Sequence, residues 1–203
     1  MQSQEPKRDH ARRSLTVAAL GAAVLLGSSC AGASRAKSLT GTSQQSSPSS
    51  PSRTCTVPQL EIRIVRSTFA AGNVGGYVGF TNRTRHACRL SGWPTLLAIT
   101  RGGTSRPARH VRTTMFGPYR THGVPLIILR PGERADAVFA GSDAPGPGET
   151  SCPPPYRHFR MALPASSRSV LLSAWLPALD AFMPSCAGIT VTMVVPSSAL
   201  YHG

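Results

Sequence analysis

Four cysteines, Cys55, Cys88, Cys152 and Cys186, constrain this chain more than any other feature. A fifth, Cys30, stands at the end of an export leader and is set apart from them. An even number of cysteines in an exported chain reads as a disulfide framework, because the compartment outside the cytoplasm is oxidising. Four cysteines permit three pairings. The near-equal gaps of 33 and 34 residues suggest two local staples, each closing a loop the size of a strand pair. Each such closure stabilises by about 3.7 kcal/mol in the chain-entropy estimate. A zinc site fits poorly, since thirty-residue gaps with no Cys-x-x-Cys pair are not zinc-ligand spacing.

The compartment is read from the first thirty residues. Lys7, Arg8, Arg12 and Arg13 precede an apolar stretch from Leu15 to Leu26, and Gly27-Ser28-Ser29 leads into Cys30. A basic segment, a short apolar segment and small residues before a cut site make a signal peptide over residues 1–29. The residues ahead of Cys30 resemble a bacterial lipobox, whose cysteine is diacylated and becomes the new N-terminus. Leu26 stands one place earlier than that pattern prefers, with Gly27 in its position. Cys30 is therefore the expected lipid-attachment residue. Arg12-Arg13-Ser14-Leu15 also resembles part of a twin-arginine signal, so the export route stays open. Residues 30–54 follow as a Ser-, Pro- and Gln-rich linker without apolar periodicity. Such a segment cannot bury enough surface to offset its ordering entropy, so a disordered tether is expected. Its span is about 25 to 30 Å.

The third segment, 55–203, reads as strands. Hydrophobic residues are 40% of the chain, enough for a core. Nineteen glycines and eighteen prolines argue against a helical bundle. Leu60, Ile62 and Ile64 alternate with polar positions at the strand period. Ala71-Gly72-Asn73 marks a turn, and Gly76 to Asn82 gives a second strand with Val78 and Phe80 on one face. Folding these two strands antiparallel brings Cys55 near Cys88. Further strands are expected at Thr95–Thr100, Pro125–Arg130, Arg134–Ala140, Arg157–Leu163 and Ser169–Trp175, with a closing strand at Ile189–Val195. Short strands separated by Gly/Pro turns argue an antiparallel sandwich. Leu172, Trp175, Leu179 and Phe182 sit at helical spacing, but Pro177 would break a helix there.

Several runs resemble a known family. They are Gly75-Gly76-Tyr77 leading to Phe80-Thr81-Asn82-Arg83-Thr84, then Cys88-Arg89-Leu90-Ser91-Gly92-Trp93-Pro94. Leu129-Arg130-Pro131-Gly132-Glu133-Arg134-Ala135 and Arg160-Met161-Ala162-Leu163-Pro164 follow, with Cys152 and Cys186 in order. Together these resemble actinobacterial exported lipoproteins carrying the domain of unknown function 4232. The resemblance implies a two-disulfide β-sandwich on a lipid anchor and transfers no catalytic residue. The expected fold is all-β, an immunoglobulin-like antiparallel β-sandwich behind a signal peptide and a disordered linker. The basic stretch from Arg101 to His122 departs from the tidy strand pair expected there.

From Cys55 onward the acids are Glu61, Glu133, Asp136, Asp143, Glu149 and Asp180. No His-x-x-x-His or His-Glu-x-x-His spacing, Gly-x-Ser-x-Gly elbow or phosphate-cradling loop is present. His158 with Met161 has the donor types for a soft copper site, but residues three apart on a strand face opposite sides. Trp93 suits a core or disulfide-covering role better than an exposed binding one. No catalytic residue, metal ligand or cofactor is assigned.

Charge is the remaining functional signal. The chain has 22 Lys+Arg against 8 Asp+Glu. Arg101, Arg106, Arg109, Arg112 and Arg120 concentrate in one stretch with His110 and His122 and form a candidate patch for an anionic partner. Outside the cytoplasm nucleic acid is a poor partner, and no motif supports it. Anionic envelope polymers, lipid headgroups or another envelope protein are the better candidates. The expectation is a lipid-anchored, non-enzymatic binding module on the extracytoplasmic face of the cell membrane. The alternative is an envelope-acting hydrolase assembled from distant residues such as His158 and Asp136.

Overall fold

The structure is a computed structural model that describes residues 53–118 and 122–200. The leader, Cys30, the linker up to residue 52, and Arg120 lie outside the described residues. The strands in chain order are β1 (Leu60–Ala70), β2 (Asn73–Asn82), β3 (Cys88–Leu90), β4 (Thr95–Thr100) and β5 (Ser105–Pro107). They continue with β6 (Arg109–Val111), β7 (Ile127–Leu129), β8 (Arg134–Ser142), β9 (Tyr156–Ala162) and β10 (Ser169–Ser173). Last come β11 (Trp175–Leu176), β12 (Ala181–Phe182), β13 (Ile189–Thr192) and β14 (Val195–Pro196).

A six-stranded sheet runs in the order β1-β2-β8-β13-β6, with β14 also on β8, and faces a four-stranded sheet in the order β10-β9-β4-β5. The core between them takes Ile62, Val78, Phe80, Ala137, Phe139 and Val191 from the first sheet, and Leu96, Ala98, Phe159 and Met161 from the second. Phe139 meets Phe159 edge-to-face across the sandwich, ring centroids 5.0 Å apart. Such a contact adds about 1 kcal/mol to the burial of the two rings. The fold is thus all-β, an antiparallel β-sandwich with two disulfides, as the sequence led us to expect. One pairing departs from the pattern: β6 lies parallel to β13.

β1 and β2 join through a two-residue turn, Ala71 and Gly72, both at positive φ (46° and 74°). That left-handed pair matches the twist of the strands it connects. β2 and β8 are buried on both faces, so β2 packs on the side opposite Val78 and Phe80 as well. The cause is a second, smaller apolar layer. Phe116 folds over the outer face of the large sheet onto Tyr77, Val138 and Ala140. The Tyr77 hydroxyl donates to the Phe116 carbonyl at 2.9 Å. Gly75 is required beneath this packing, because a Cβ there would stand 2.8 Å from the Phe116 ring and press on the Phe139 carbonyl.

The disulfides are Cys55–Cys88 and Cys152–Cys186, the two local pairings. The closing strand differs from the single alternating run expected. Val191 pairs with Phe139 and Val195 with Asp136, so one extra residue bulges between them. The bulge leaves the Val138 N–H without a ladder partner, and the Thr192 hydroxyl accepts it at 2.9 Å. The Pro177 segment resolves as a hairpin: β11 and β12 pair Trp175 with Phe182 and Leu176 with Ala181.

Candidate functional site

The arginine-rich stretch is the side wall of the sandwich. β5 pairs with β4 of the small sheet, the Ala108 N–H donates to the Leu96 carbonyl at 2.8 Å, and β6 then joins β13 of the large sheet. Passing from one sheet to the other turns successive arginines in different directions. Arg106 lies opposite Ala98, on the core side of β5, and borders a hollow of about 180 Å³ with Tyr156 and Ser185. Burial raises the Tyr156 pKa above its usual value, and the nearby Arg106 charge pulls it partly back. Arg109, beside Thr190 on the outer face of the large sheet, lines a hollow of about 310 Å³ with Thr113 and Met115. Arg101, in the turn after β4, lines a third of about 300 Å³ with Arg157, His158 and Phe182. Arg112 is exposed, and Arg120 lies outside the described residues. The structure therefore fans these side chains along one wall and gathers no single pocket from them.

Three of the domain's six carboxylates are paired away from this wall. Glu61 faces Arg63 at 3.5 Å and also pairs with Arg83. Glu133 faces Arg130 at 3.4 Å, and the fully buried Asp136 faces Arg134 at 3.0 Å. Among the described residues none of Arg101, Arg106, Arg109 or Arg112 forms an ion pair.

The run Ser91-Gly92-Trp93-Pro94 fixes this wall in place. Gly92, at φ 102°, offers its carbonyl to the Val194 N–H of the bulge at 2.9 Å. The half-buried Trp93 donates its indole N–H to the Val111 carbonyl at 3.0 Å and stacks on His110. His110 Nε2 lies 3.2 Å from the Pro94 carbonyl. Trp93 thus clamps β6, a role its sequence context did not reveal. Asn82, inside a glycosylation-like Asn-Arg-Thr, is fully buried and ties β2 to neighbouring loops, so its side chain is closed to modification. It donates to the His86 and Leu129 carbonyls at 2.8 and 2.9 Å and accepts from the Thr84 N–H and hydroxyl at 2.9 and 2.8 Å.

The residues of the hydrolase alternative are not brought together. His158 is exposed between Arg157 and the core residue Phe159, on the outer face of the small sheet. Asp136 lies between core residues Ala135 and Ala137, so it points to the outer face of the large sheet. Both sheets separate them. Met161 is buried in the core while His158 faces out, which also separates the pair with copper-type donors.

Sequence reasoning missed one arrangement: Trp175, Phe182 and Arg157 stand side by side on the β11–β12 hairpin and the adjoining β9. Two aromatics flanking a proline turn were the available signal.

Fold and site together define a small all-β domain stapled by two local disulfides, with a cationic wall whose arginines, among the described residues, form no ion pair with a carboxylate. The family described as Domain of unknown function (DUF4232) matches residues 55–194, and the chain belongs to it. Neither a curated protein nor a solved structure matches the chain.

Proposed function

We propose that this protein is a lipid-anchored envelope module that works by binding, not by catalysis, with its arginine wall engaging an anionic component of the cell envelope. The observation carrying this reading is the segregation of charge. From Arg53 onward 16 arginines face six acids, and three of those acids are paired with Arg63, Arg83, Arg130 and Arg134, away from the wall. Arg101, Arg109 and Arg112 stay exposed, where each cation near an anionic surface adds about 1 kcal/mol of attraction, falling off within a Debye length. The two disulfides suit an oxidising compartment. With the leader and the lipobox-like Cys30, they support a position outside the cytoplasmic membrane, with the Ser/Pro-rich linker between Cys30 and the folded domain.

The test is co-sedimentation of the protein with phosphatidylglycerol vesicles and with an anionic wall polymer across a salt series. Binding is expected to fall steeply with salt, and Arg109→Gln with Arg112→Gln should weaken it several-fold. Salt-independent binding, or a double variant that binds as tightly as the parent, refutes the electrostatic reading. Arg106 is left intact in this design because it touches the Tyr156 environment.

A further inference from the structure

The β11–β12 hairpin carries a tryptophan that the sandwich leaves 39% exposed. Packing does not leave it loose. Trp175 and Phe182 are direct cross-strand partners and meet edge-to-face, centroids 5.0 Å apart at 81°. The Arg157 guanidinium lies over the Phe182 ring, 4.0 Å from its centroid. Fully buried Leu176 roots the hairpin in the core. The Ala174 N–H donates to the Arg157 carbonyl and the Ala178 N–H to the Ser67 hydroxyl, both at 2.9 Å, so each end of β11 is tied to a different sheet. An indole held this way loses little freedom when a ligand covers it, which lowers the entropic cost of binding.

Two hollows flank this ladder. One, of about 470 Å³, is lined by Arg63, Ile64, Leu172, Ser173, Trp175 and Pro177. The other, of about 300 Å³, is lined by Thr100, Arg101, Arg157, His158, Ser173 and Phe182. Ser173 borders both, so the two are neighbours. Their volumes fall within the ~300–1,000 Å³ range of small-molecule sites. Their joint inventory is an indole, a phenyl ring, aliphatic walls, two hydroxyls, three guanidinium groups and an imidazole. Neither hollow is lined by a carboxylate. Glu61 lies 3.5 Å from Arg63, but Arg63 is 59% exposed, so that contact is weak and exchangeable.

This combination has a chemical match. The C–H-rich face of a sugar ring suits a flat indole bordered by Ile64, Leu172 and Pro177. The planar fork of arginine suits a carboxylate or phosphate. We propose that the paired hollows bind an acidic oligosaccharide, one sugar ring lying on Trp175 and the acid group of a neighbouring unit held by Arg101 and His158. The proposal rests on reading the domain as a binding module and names a ligand for it, at a site distinct from the Arg109–Arg112 part of the wall.

Isothermal titration of the full-length protein with oligogalacturonate, a phosphomannan oligosaccharide and neutral maltotetraose tests this. Either or both acidic sugars should bind, the carboxylate and phosphate arms identifying which acid group is preferred, and the neutral one should bind at least about tenfold more weakly. Trp175→Ala should weaken binding about tenfold, whereas Trp175→Phe keeps a ring on the hairpin and should retain most of it. Arg101→Gln should weaken binding several-fold and flatten its salt dependence. Circular dichroism and Tm establish that the variants are folded. Equal binding of the neutral sugar, no binding of either acidic one, or undiminished binding by folded Trp175→Ala overturns the site. The Arg109→Gln/Arg112→Gln variant separates the two readings. It should bind these oligosaccharides normally while vesicle and polymer binding weakens several-fold, and loss of oligosaccharide binding in it alone places the sugar on the wall and overturns the hairpin site.

Discussion

At the scale of single residues, Asn82 and Tyr156 carry the clearest consequences. All four hydrogen bonds of the Asn82 side chain are made inside the protein, to the chain at 84, 86 and 129. Asn82→Ala would leave the buried Leu129 carbonyl without its side-chain donor and remove a partner from the His86 carbonyl and from the N–H and hydroxyl of Thr84 in the half-buried loop. It should cost about 2 kcal/mol. Thermal unfolding should show this as a fall in Tm of about 6 °C. Tyr156 answers to pH. Its folded pKa is raised, mainly by burial and against the pull of Arg106, so the folded state holds its proton more tightly than the unfolded chain does. The resulting stabilisation is fully present below about pH 10 and is lost as pH rises through the raised folded value. Denaturant titrations on the alkaline side should therefore show stability falling with pH, less steeply in Tyr156→Phe. Arg106→Gln should steepen the loss, since it removes the charge that favours the phenolate. An unchanged slope in Tyr156→Phe would show that other groups dominate the alkaline transition.

At the scale of elements, the two staples close loops of nearly equal length, 33 and 34 residues, so chain entropy alone gives them similar worth. Their surroundings differ. Cys55 and Cys88 are both buried in the main core, whereas Cys152 is only half-buried in the loop before β9. Graded reduction followed by alkylation and mass mapping should release Cys152–Cys186 first. Alanine replacement of both Cys55 and Cys88 should cost more than the same change at 152 and 186, because it adds a core cavity to the lost constraint. Equal costs would show that the core closes around the smaller residues. The same contrast explains what could be read from the chain. Leu60, Ile62 and Ile64, or Arg134 to Ala140 after Pro131-Gly132, announce themselves through local alternation and turn chemistry. β6 could not, since Arg-His-Val has no period and its partner β13 lies about eighty residues away in a parallel pairing. Doubly buried β2 hid its outer layer, because Phe116 reaches it from a loop. The Trp175–Phe182–Arg157 ladder was equally hidden. Its first two members are set by the hairpin register, and its third arrives through the pairing of β9 with β10.

At the scale of the whole molecule, the question is how the arginine wall and the aromatic hairpin would meet an envelope partner. The described chain enters the sandwich alongside β3: the Arg89 N–H donates to the Arg53 carbonyl at 3.0 Å and the Cys55 N–H to the Arg89 carbonyl at 2.9 Å. Near that entry, Arg89 pairs with Ile128 of β7, and Ile128 and nearby Leu126 are exposed at 38% and 64%. On the proposed reading, the linker that follows Cys30 in the sequence joins the domain at this edge. A single saturated acyl chain gives only marginal membrane residence, whereas diacylation gives stable anchoring. The wall's arginines should add electrostatic retention that salt can remove, while the anchor's contribution should be salt-resistant. Cys30→Ala separates the two. In cells it should shift the protein from the membrane fraction to the medium and abolish labelling by a palmitate analogue. Arg109→Gln/Arg112→Gln should leave both labelling and high-salt membrane retention intact. If Cys30→Ala keeps the label, the lipid is attached at another residue; if it loses the label yet stays on membranes washed at high salt, the acyl chains at Cys30 are not what holds the protein there.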